Sequence, residues 1–167
     1  ESVAEVVAQV VAELSARPDA PAPDSPVGVT FPGIIQHGVV HSAANVDKSW
    51  LEMDIDAMLT ARLGRPVEVI NDADAAGLAE ARFGAARQIR DALYVSVGTG
   101  IASVLLIEGR PYAGAHGAAL VLATAAPVPI GSGQAPMLEE IASGPALARQ
   151  FGDSGGDARI VIAAALR

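Results

Sequence analysis

The stretch between residues 67 and 84 constrains the fold more than any other part of this sequence, because a strand pattern passes directly into a helix pattern. Its first residues are rich in β-branched Val and Ile, which favour a strand. The Ala, Leu and Glu residues that follow favour a helix, and Gly84 ends it. A strand that leads into a helix is typical of α/β proteins, so the sequence predicts that class.

Strand and helix patterns alternate along the rest of the chain. The predicted helices span residues 3–14, 51–63, 73–83, 137–151 (with a break near Gly144-Pro145) and 158–167. The predicted strands span residues 27–31, 65–70, 93–97 and 101–107, with a hairpin around His37-Gly38 (residues 34–40) and a turn at Glu108-Gly109. This order predicts strand-to-helix crossovers in the first half and a hairpin in the second.

Composition limits the classes of partner and site. Of the 167 residues 51% are hydrophobic, which is enough for a core, and the net charge of -8 argues against broad binding to nucleic acid or to an anionic membrane. The lack of cysteine excludes disulfides, thiolate metal sites and a cysteine nucleophile. No apolar run reaches membrane-spanning length and the first residues form no basic leader, so a cytoplasmic protein is expected.

Asp72 stands where the strand pattern gives way to the helix pattern, and two interpretations are open. Aspartate is a preferred N-cap residue, so Asp72 or Asp74 is a candidate cap of the following helix. Enzymes also keep catalytic groups at such junctions, because the strand fixes the backbone and the helix N-terminus offers free N–H groups. The two roles are compatible, since a helix N-terminus favours the ionised carboxylate.

The tripeptide Gly98-Thr99-Gly100 separates two predicted strands and is the second candidate for chemistry. Glycines let backbone N–H groups approach an anionic phosphate, and the threonine hydroxyl adds one more donor. The tripeptide equally suits a plain turn, and it matches neither the dinucleotide-binding fingerprint nor the P-loop. On local grounds both interpretations stay open.

Five segments occur in an order and spacing that a known family shares: VGVTFPG (27–33), AANVDKSW (43–50), NDADAAGLAE (71–80), GTGI (98–101) and LEEIASGPAL (138–147). Together they resemble the ROK family of sugar kinases and repressors, and residues 27–50 are most similar to its bacterial polyphosphate glucokinases. The resemblance implies a two-lobed, actin-like ATPase (ribonuclease H-like) fold. Residues 1–72 then belong to the small N-terminal lobe and residues 73–167 to the larger C-terminal lobe.

The activity that the resemblance implies is phosphoryl transfer from ATP or polyphosphate to a glucose-like hexose. Asp72 is implied to be the general base that accepts the proton of the attacking sugar hydroxyl. The residues implied to bind the sugar are Gly33 (through its backbone), Asn45, Asn71 and Glu139. The residues implied to lie along the donor phosphates are Gly98, Thr99 and Gly100. Mg²⁺ is expected with the donor, because the phosphate charge must be neutralised, and a homodimer is expected from the family.

Departures from the family pattern weaken sugar binding and remove a metal site. Val121 and Thr124 stand where the family has a glutamate and a histidine that bind the sugar. A sugar hydroxyl that is desolvated without a new partner costs about 1 to 3 kcal/mol. Ile130, Ser132 and Met137 stand where many family members have zinc-binding cysteines. A zinc-free member of the family, without a metal site, is therefore predicted.

Several interpretations remain open from the sequence. The family's early phosphate loop and late glycine-rich nucleotide segment have no counterpart between residues 1 and 167, so either a longer parent protein or a degenerate relative is expected. The alternative to a kinase is a non-catalytic, sugar-sensing or regulatory module. Lys48 and Trp50 suit either an active cleft or a surface and packing role, and His116 is a minor candidate.

A polyphosphate donor would favour a basic track along the site. The sequence does not show one, because its candidate residues are scattered: Lys48, Arg62, Arg65, Arg82, Arg87 and Arg90.

Overall fold

The computed structural model describes residues 2–42, 46–115, 127 and 136–150. The chain divides into two compact units, Glu1–Ala75 and Ala76–Arg167. The described helices are α1 (Val3–Ser15), α2 (Ile55–Leu63), α3 (Asp72–Phe83), α4 (Leu138–Ala142) and α5 (Gly144–Gln150). The described strands are β1 (Val27–Phe31), β2 (Ile34–Gln36), β3 (Val39–Ser42), β4 (Val67–Asn71), β5 (Ala92–Val97), β6 (Ile101–Ile107) and β7 (Arg110–Pro111). No described helix is long and apolar enough to cross a bilayer.

β1 and β4 form a parallel pair in the first unit, and the chain between them includes the β2–β3 hairpin and α2. The register pairs Val27 with Val67 and Phe31 with Asn71. Because parallel strands run in the same direction, the segments that follow Phe31 and Asn71 leave the pair at the same end. This arrangement brings Gly33 and Asp72 to one edge of the sheet.

The core of the first unit is aliphatic. Its buried side chains are those of Val40, Ile55, Leu59, Val67 and Val69. The ring of Trp50 packs against this core and lies 5.5 Å from the ring of Phe31, measured between centroids. The packing role considered for Trp50 is therefore observed.

Side chains of α2 bond two N–H groups of β4. The N–H of Val69 donates to Oδ1 of Asp56 at 2.7 Å, and the N–H of Val67 donates to Oγ1 of Thr60 at 3.1 Å. Asp56 and Thr60 are one helical turn apart, and Val67 and Val69 are alternate residues of the strand, so the two spacings match. These contacts satisfy backbone donors that would otherwise be left without a partner in the part-buried interior.

The β2–β3 hairpin forms as predicted, but α2 begins later than the predicted residue 51. His37 and Gly38 both have positive φ, as a two-residue hairpin turn requires. The backbone of residues 52–54 is bonded beside β3 instead of forming a helix: the N–H of Glu52 donates to the carbonyl of Val40 at 2.8 Å. Asp54 then caps α2, because its Oδ1 accepts from the N–H of Ala57 at 2.8 Å.

The second unit contains the antiparallel sheet β5–β6–β7. The β5–β6 register runs from Ala92 opposite Leu106 to Val97 opposite Ile101, and residues 98–100 connect the strands at that end. α3 packs on β6 through Gly77, where an added Cβ would lie 3.3 Å from Cγ1 of Val104. The short strand β7, which the sequence analysis did not predict, extends the sheet after the turn at Glu108-Gly109.

The α/β alternation and the hairpin of the second half are confirmed, with small shifts at element ends. The strand predicted from residue 65 begins at Val67, and Pro66 before it has no N–H to donate to a neighbouring strand. The break predicted near Gly144 falls at Ser143, which separates α4 from α5. The helix predicted over 158–167 lies outside the described residues.

Candidate active site

Asn71 organises the junction between β4 and α3. Its side-chain oxygen accepts from the N–H groups of Ala73 at 2.8 Å and Asp74 at 3.2 Å, which caps α3. Its side-chain amide donates to the carbonyl of Gly33 at 2.9 Å. The N-cap position predicted for Asp72 or Asp74 is therefore occupied by Asn71, although the Asp72 side chain also accepts from the N–H of Ala73.

Asp72 is the first residue of α3, and its side chain is exposed. Its Oδ1 accepts from the N–H of Ala73 at 2.9 Å, a donor that it shares with the oxygen of Asn71. The N-terminal end of a helix stabilises a carboxylate in its ionised form. An ionised, accessible carboxylate on a backbone fixed by a strand is what proton abstraction from a hydroxyl requires.

Asp74 is a second carboxylate at this junction, and the sequence analysis considered it only as a cap. Burial raises the pKa of Asp74, and the negative charge of Asp72 raises it further. The Asp-Ala-Asp spacing is a local signal that two carboxylates lie in the first turn of one helix. The burial of Asp74, which is the larger cause of its raised pKa, cannot be read from the local sequence.

Gly33 lies just beyond the end of β1. Its N–H donates to the carbonyl of Phe31 at 3.0 Å, and its own carbonyl accepts from Asn71. Asn71 therefore ties the backbone at Gly33 to the start of α3. The predicted sugar ligand Asn45 lies outside the described residues, and Lys48 is exposed in a short 3-10 turn, Lys48–Trp50.

The turn at Gly98-Thr99-Gly100 joins β5 to β6 in the second unit. The N–H of Gly98 donates to the carbonyl of Gly100 at 2.8 Å, so this donor is used inside the turn. The N–H of Ile101 donates to Oε2 of Glu139 at 2.9 Å. Within the described part of the chain, the N–H groups of Thr99 and Gly100 have no recorded partner, and these are the donors that the turn offers to an anion.

Glu139 contacts this turn from α4. An added Cβ on Gly100 would lie 2.6 Å from Oε2 of Glu139, so the carboxylate lies directly against the glycine. The structure thus brings together one residue predicted to bind the sugar and three predicted to bind the donor. Nothing local in the sequence signals this contact, because 38 residues separate Ile101 from Glu139.

The other predicted site residues belong to the first unit. Gly33, Asn71 and Asp72 meet at the end of the β1–β4 pair, as described above. The site residues therefore form two clusters, one within each unit.

The described residues contain no group of three or more His, Cys, Asp or Glu side chains placed to hold a metal ion. Met137, one of the three positions compared with zinc-binding cysteines, has its N–H bonded to Oε2 of Glu140 at 2.7 Å. The remaining positions compared with family ligands, and His116, lie outside the described residues: Val121, Thr124, Ile130 and Ser132.

Basic side chains converge at the end of the β5–β6 hairpin opposite the Gly-Thr-Gly turn. Arg82, Arg90 and Arg110 line an open pocket of about 570 Å³ together with Gln88. Arg90 is paired there with Glu108 at 2.6 Å. Arg82 and Arg90, which are scattered in the sequence, are thus brought to one pocket, but this pocket is not at the turn predicted to bind the donor.

Comparisons with known proteins point to one family. The family model described as "ROK family" matches residues 1–163. The polyphosphate glucokinase of Mycobacterium tuberculosis (strain CDC 1551 / Oshkosh) is 43% identical over 110 residues, which are 65% of this chain and 39% of that protein. The chain therefore spans well under half the length of this curated relative.

Two solved structures extend the comparison. The inorganic polyphosphate/ATP-glucomannokinase from Arthrobacter sp. strain KM superposes with a TM-score of 0.71 and 56% identity, covering 96% of this chain and 59% of that one. A ROK family glucokinase from Streptomyces griseus, in complex with glucose and AMPPNP, superposes with a TM-score of 0.70 and 31% identity, covering 88% and 47%. The fold is that of the ROK sugar kinases, so the predicted actin-like α/β class is confirmed.

Proposed function

Since this chain belongs to the ROK family, we propose that the complete gene product is a hexokinase that transfers a phosphoryl group from ATP or polyphosphate to a glucose-like sugar. The observation that carries the proposal is the junction at which Asn71 caps α3 and ties Gly33 to it. This arrangement fixes the first turn of α3 and the backbone at Gly33 while the Asp72 carboxylate stays exposed.

Asp72 is the general base of the proposed reaction. Its carboxylate accepts the proton of the sugar hydroxyl as that oxygen attacks the terminal phosphoryl group of the donor. The position at the start of α3 supports this role, because β4 fixes the backbone there and the carboxylate is exposed.

The acceptor sugar is bound by the Gly33 backbone, Asn45, Asn71 and Glu139 in this proposal. Both ends of the Asn71 side chain are already bonded to the protein, so its contribution is chiefly to hold the backbone of Gly33 and Asp72 in place. A relative solved with glucose supports a hexose as the acceptor.

The donor phosphates lie along Gly98, Thr99 and Gly100. The N–H groups of Thr99 and Gly100 point to this assignment, since they are the unbonded donors of the turn within the described residues. Mg²⁺ arrives bound to the donor phosphates, a mode that this cation commonly adopts. Both donors stay in the proposal, because one relative is a polyphosphate glucokinase and another is a polyphosphate/ATP-glucomannokinase.

The wider organisation is part of the same proposal and rests on the family resemblance. Residues 1–72 and 73–167 are parts of a smaller N-terminal and a larger C-terminal lobe, and the enzyme acts in the cytoplasm as a homodimer. Size measurement of the purified complete gene product tests the dimer.

The proposal is tested with the complete gene product in a coupled assay of glucose phosphorylation, with ATP and with polyphosphate. Asp72→Asn keeps the size of the side chain and removes the base, so turnover is expected to fall about 10²- to 10⁴-fold. Asp24→Asn, at an exposed position in the segment between α1 and β1, is the matched control and is expected to keep full turnover.

Two outcomes would contradict the proposal. Turnover that is indifferent to Asp72→Asn would remove Asp72 from the reaction. A sugar-induced rise in melting temperature without any phosphoryl transfer would favour the alternative, a non-catalytic sugar-sensing module.

A further inference from the structure

The carboxylate of Glu139 is in direct contact with the Gly-Thr-Gly turn. We infer that Glu139 is a positioning residue that couples the sugar site to the donor turn, in addition to its contact with the sugar. The inference rests on the proposed function, which assigns Glu139 to the sugar and residues 98–100 to the donor. It goes beyond that function, because it predicts that each substrate's affinity depends on residues assigned to the other.

The first link is a charge-assisted hydrogen bond. Oε2 of Glu139 accepts from the N–H of Ile101 at 2.9 Å in a part-buried position. Hydrogen bonds to an ionised acceptor are roughly twice as strong as neutral ones. Ile101 is the first residue of β6, so this bond fixes the end of the turn where the strand begins.

The second link is steric. A Cβ on Gly100 would lie 2.6 Å from Oε2 and 3.2 Å from Cδ of Glu139. The glycine therefore leaves the space that the carboxylate occupies. The carboxylate is the far end of a flexible side chain, so Gly100→Ala is expected to displace it without disturbing the backbone. The displaced carboxylate then no longer accepts from the N–H of Ile101.

The third link comes from the break between α4 and α5. Ser143 is buried, and its N–H donates to the carbonyl of Glu139 at 3.2 Å. The next residue, Gly144, donates its N–H to the carbonyl of Gly98 at 2.8 Å. The turn is thus held at Gly98 by the start of α5 and at Ile101 by α4, and the two helices are joined at Ser143.

Because of these links, the position of the Glu139 carboxylate affects both the sugar site and the donor turn. A sugar that binds Glu139 restrains the same carboxylate that holds the turn, so sugar binding orders the donor turn. A change at Gly100 moves the carboxylate away from the sugar. The expected result is that a change at either residue affects the substrate assigned to the other, because one carboxylate contacts both.

The test is a double-mutant cycle in the complete gene product, with KM measured for sugar and donor separately. Glu139→Ala is expected to raise the donor KM about tenfold or more, and Gly100→Ala is expected to raise the sugar KM by a similar factor. In the double variant the clash at Gly100 is gone, so its donor KM is expected to equal that of Glu139→Ala alone. Effects that multiply would overturn the inference.

Matched variants separate positioning from general loss of structure. Glu139→Gln keeps an oxygen that can accept from Ile101 but loses the charge, so it is expected to raise the donor KM clearly less than Glu139→Ala does. Glu140→Ala removes the bond to Met137 at the start of the same helix and is expected to leave the donor KM unchanged. Gly28→Ala, where nothing lies within 4 Å of an added Cβ, controls for glycine replacement.

A readout without turnover distinguishes failure of the inference from failure of the proposed function. Amide hydrogen exchange at Ile101 is expected to accelerate in Glu139→Ala and Gly100→Ala, and to accelerate less in Glu139→Gln. If the wild type shows no phosphoryl transfer, the proposed function fails, and the coupling to substrates fails with it. If transfer occurs but exchange at Ile101 is the same in all four proteins, the contact itself is contradicted.

Discussion

The side-chain amide of Asn71 donates to the backbone carbonyl of Gly33 across 2.9 Å, and this bond joins the segment after β1 to the start of α3. The oxygen of the same side chain caps α3. One residue therefore fixes both the first turn of α3, where Asp72 lies, and the backbone at Gly33. The orientation of the amide follows from its partners, since the oxygen faces N–H groups and the nitrogen faces a carbonyl.

Replacing Asn71 is expected to separate these two roles. Asn71→Ser keeps an N-cap oxygen but has no reach to Gly33, whereas Asn71→Ala loses both contacts. We expect a loss of about 1 kcal/mol of unfolding free energy for Ser and about 2 kcal/mol for Ala. Chemical denaturation of the complete gene product measures both values, and an alanine variant as stable as the wild type would contradict the dual role.

Asp56 is expected to stabilise the first unit through the backbone of β4. Asp56→Ala leaves the N–H of Val69 without its partner, which costs about 1 to 3 kcal/mol. Asp56→Asn retains an accepting oxygen and is expected to cost less. Denaturation midpoints measure the difference. Asp19→Ala is the control, because the Asp19 ion pair with Arg17 is exposed and such pairs contribute little; an equal effect at both positions would contradict the account.

The raised pKa of Asp74 predicts a pH dependence of stability. Because protonation is favoured in the folded state, the stability that Asp74 contributes is fully present below its ordinary pKa of 3.8 and is lost as pH rises through the higher folded value. The unfolding free energy of the wild type, relative to Asp74→Asn, is therefore expected to fall as pH rises across that interval. A relative stability that rises with pH would contradict the shift.

The two causes of this shift can be separated by NMR titration of the side-chain carboxyl carbon. Asp72→Asn removes the neighbouring charge, which is the smaller cause, and is expected to lower the pKa of Asp74. Burial, the larger cause, remains, so the pKa of Asp74 is expected to stay above its ordinary value. A pKa of Asp74 that does not respond to Asp72→Asn would show that the charge of Asp72 does not reach it.

Much of the fold follows from local sequence patterns. The β-branched run before Asn71, the alanine-rich run after it and the glycines at residues 64 and 84 predict β4, α3 and the ends of two helices. The turn at His37-Gly38 is also local, since both residues must adopt positive φ. The predicted start of α2 was wrong because the N–H of Glu52 bonds the carbonyl of Val40, twelve residues earlier, and this bond competes with helix formation.

The candidate site was predictable in its members but not in its contacts. Asp72 and the Gly-Thr-Gly turn are visible as motifs, and family resemblance adds Gly33, Asn71 and Glu139. The bonds that join Asn71 to Gly33 and Glu139 to Ile101 each cross 38 residues of chain. Such contacts depend on how the elements pack, and they have no periodicity or spacing that a local pattern could reveal.

The central claim is that Asp72 takes the proton from the sugar, and a single-turnover measurement tests it most directly. The rate of phosphoryl transfer to glucose is measured in wild type and Asp72→Asn, together with the Kd for glucose in each. The account predicts a transfer rate about 10²- to 10⁴-fold lower in the variant, with a glucose Kd close to that of the wild type. A variant that binds glucose and transfers the phosphoryl group at the wild-type rate would contradict it.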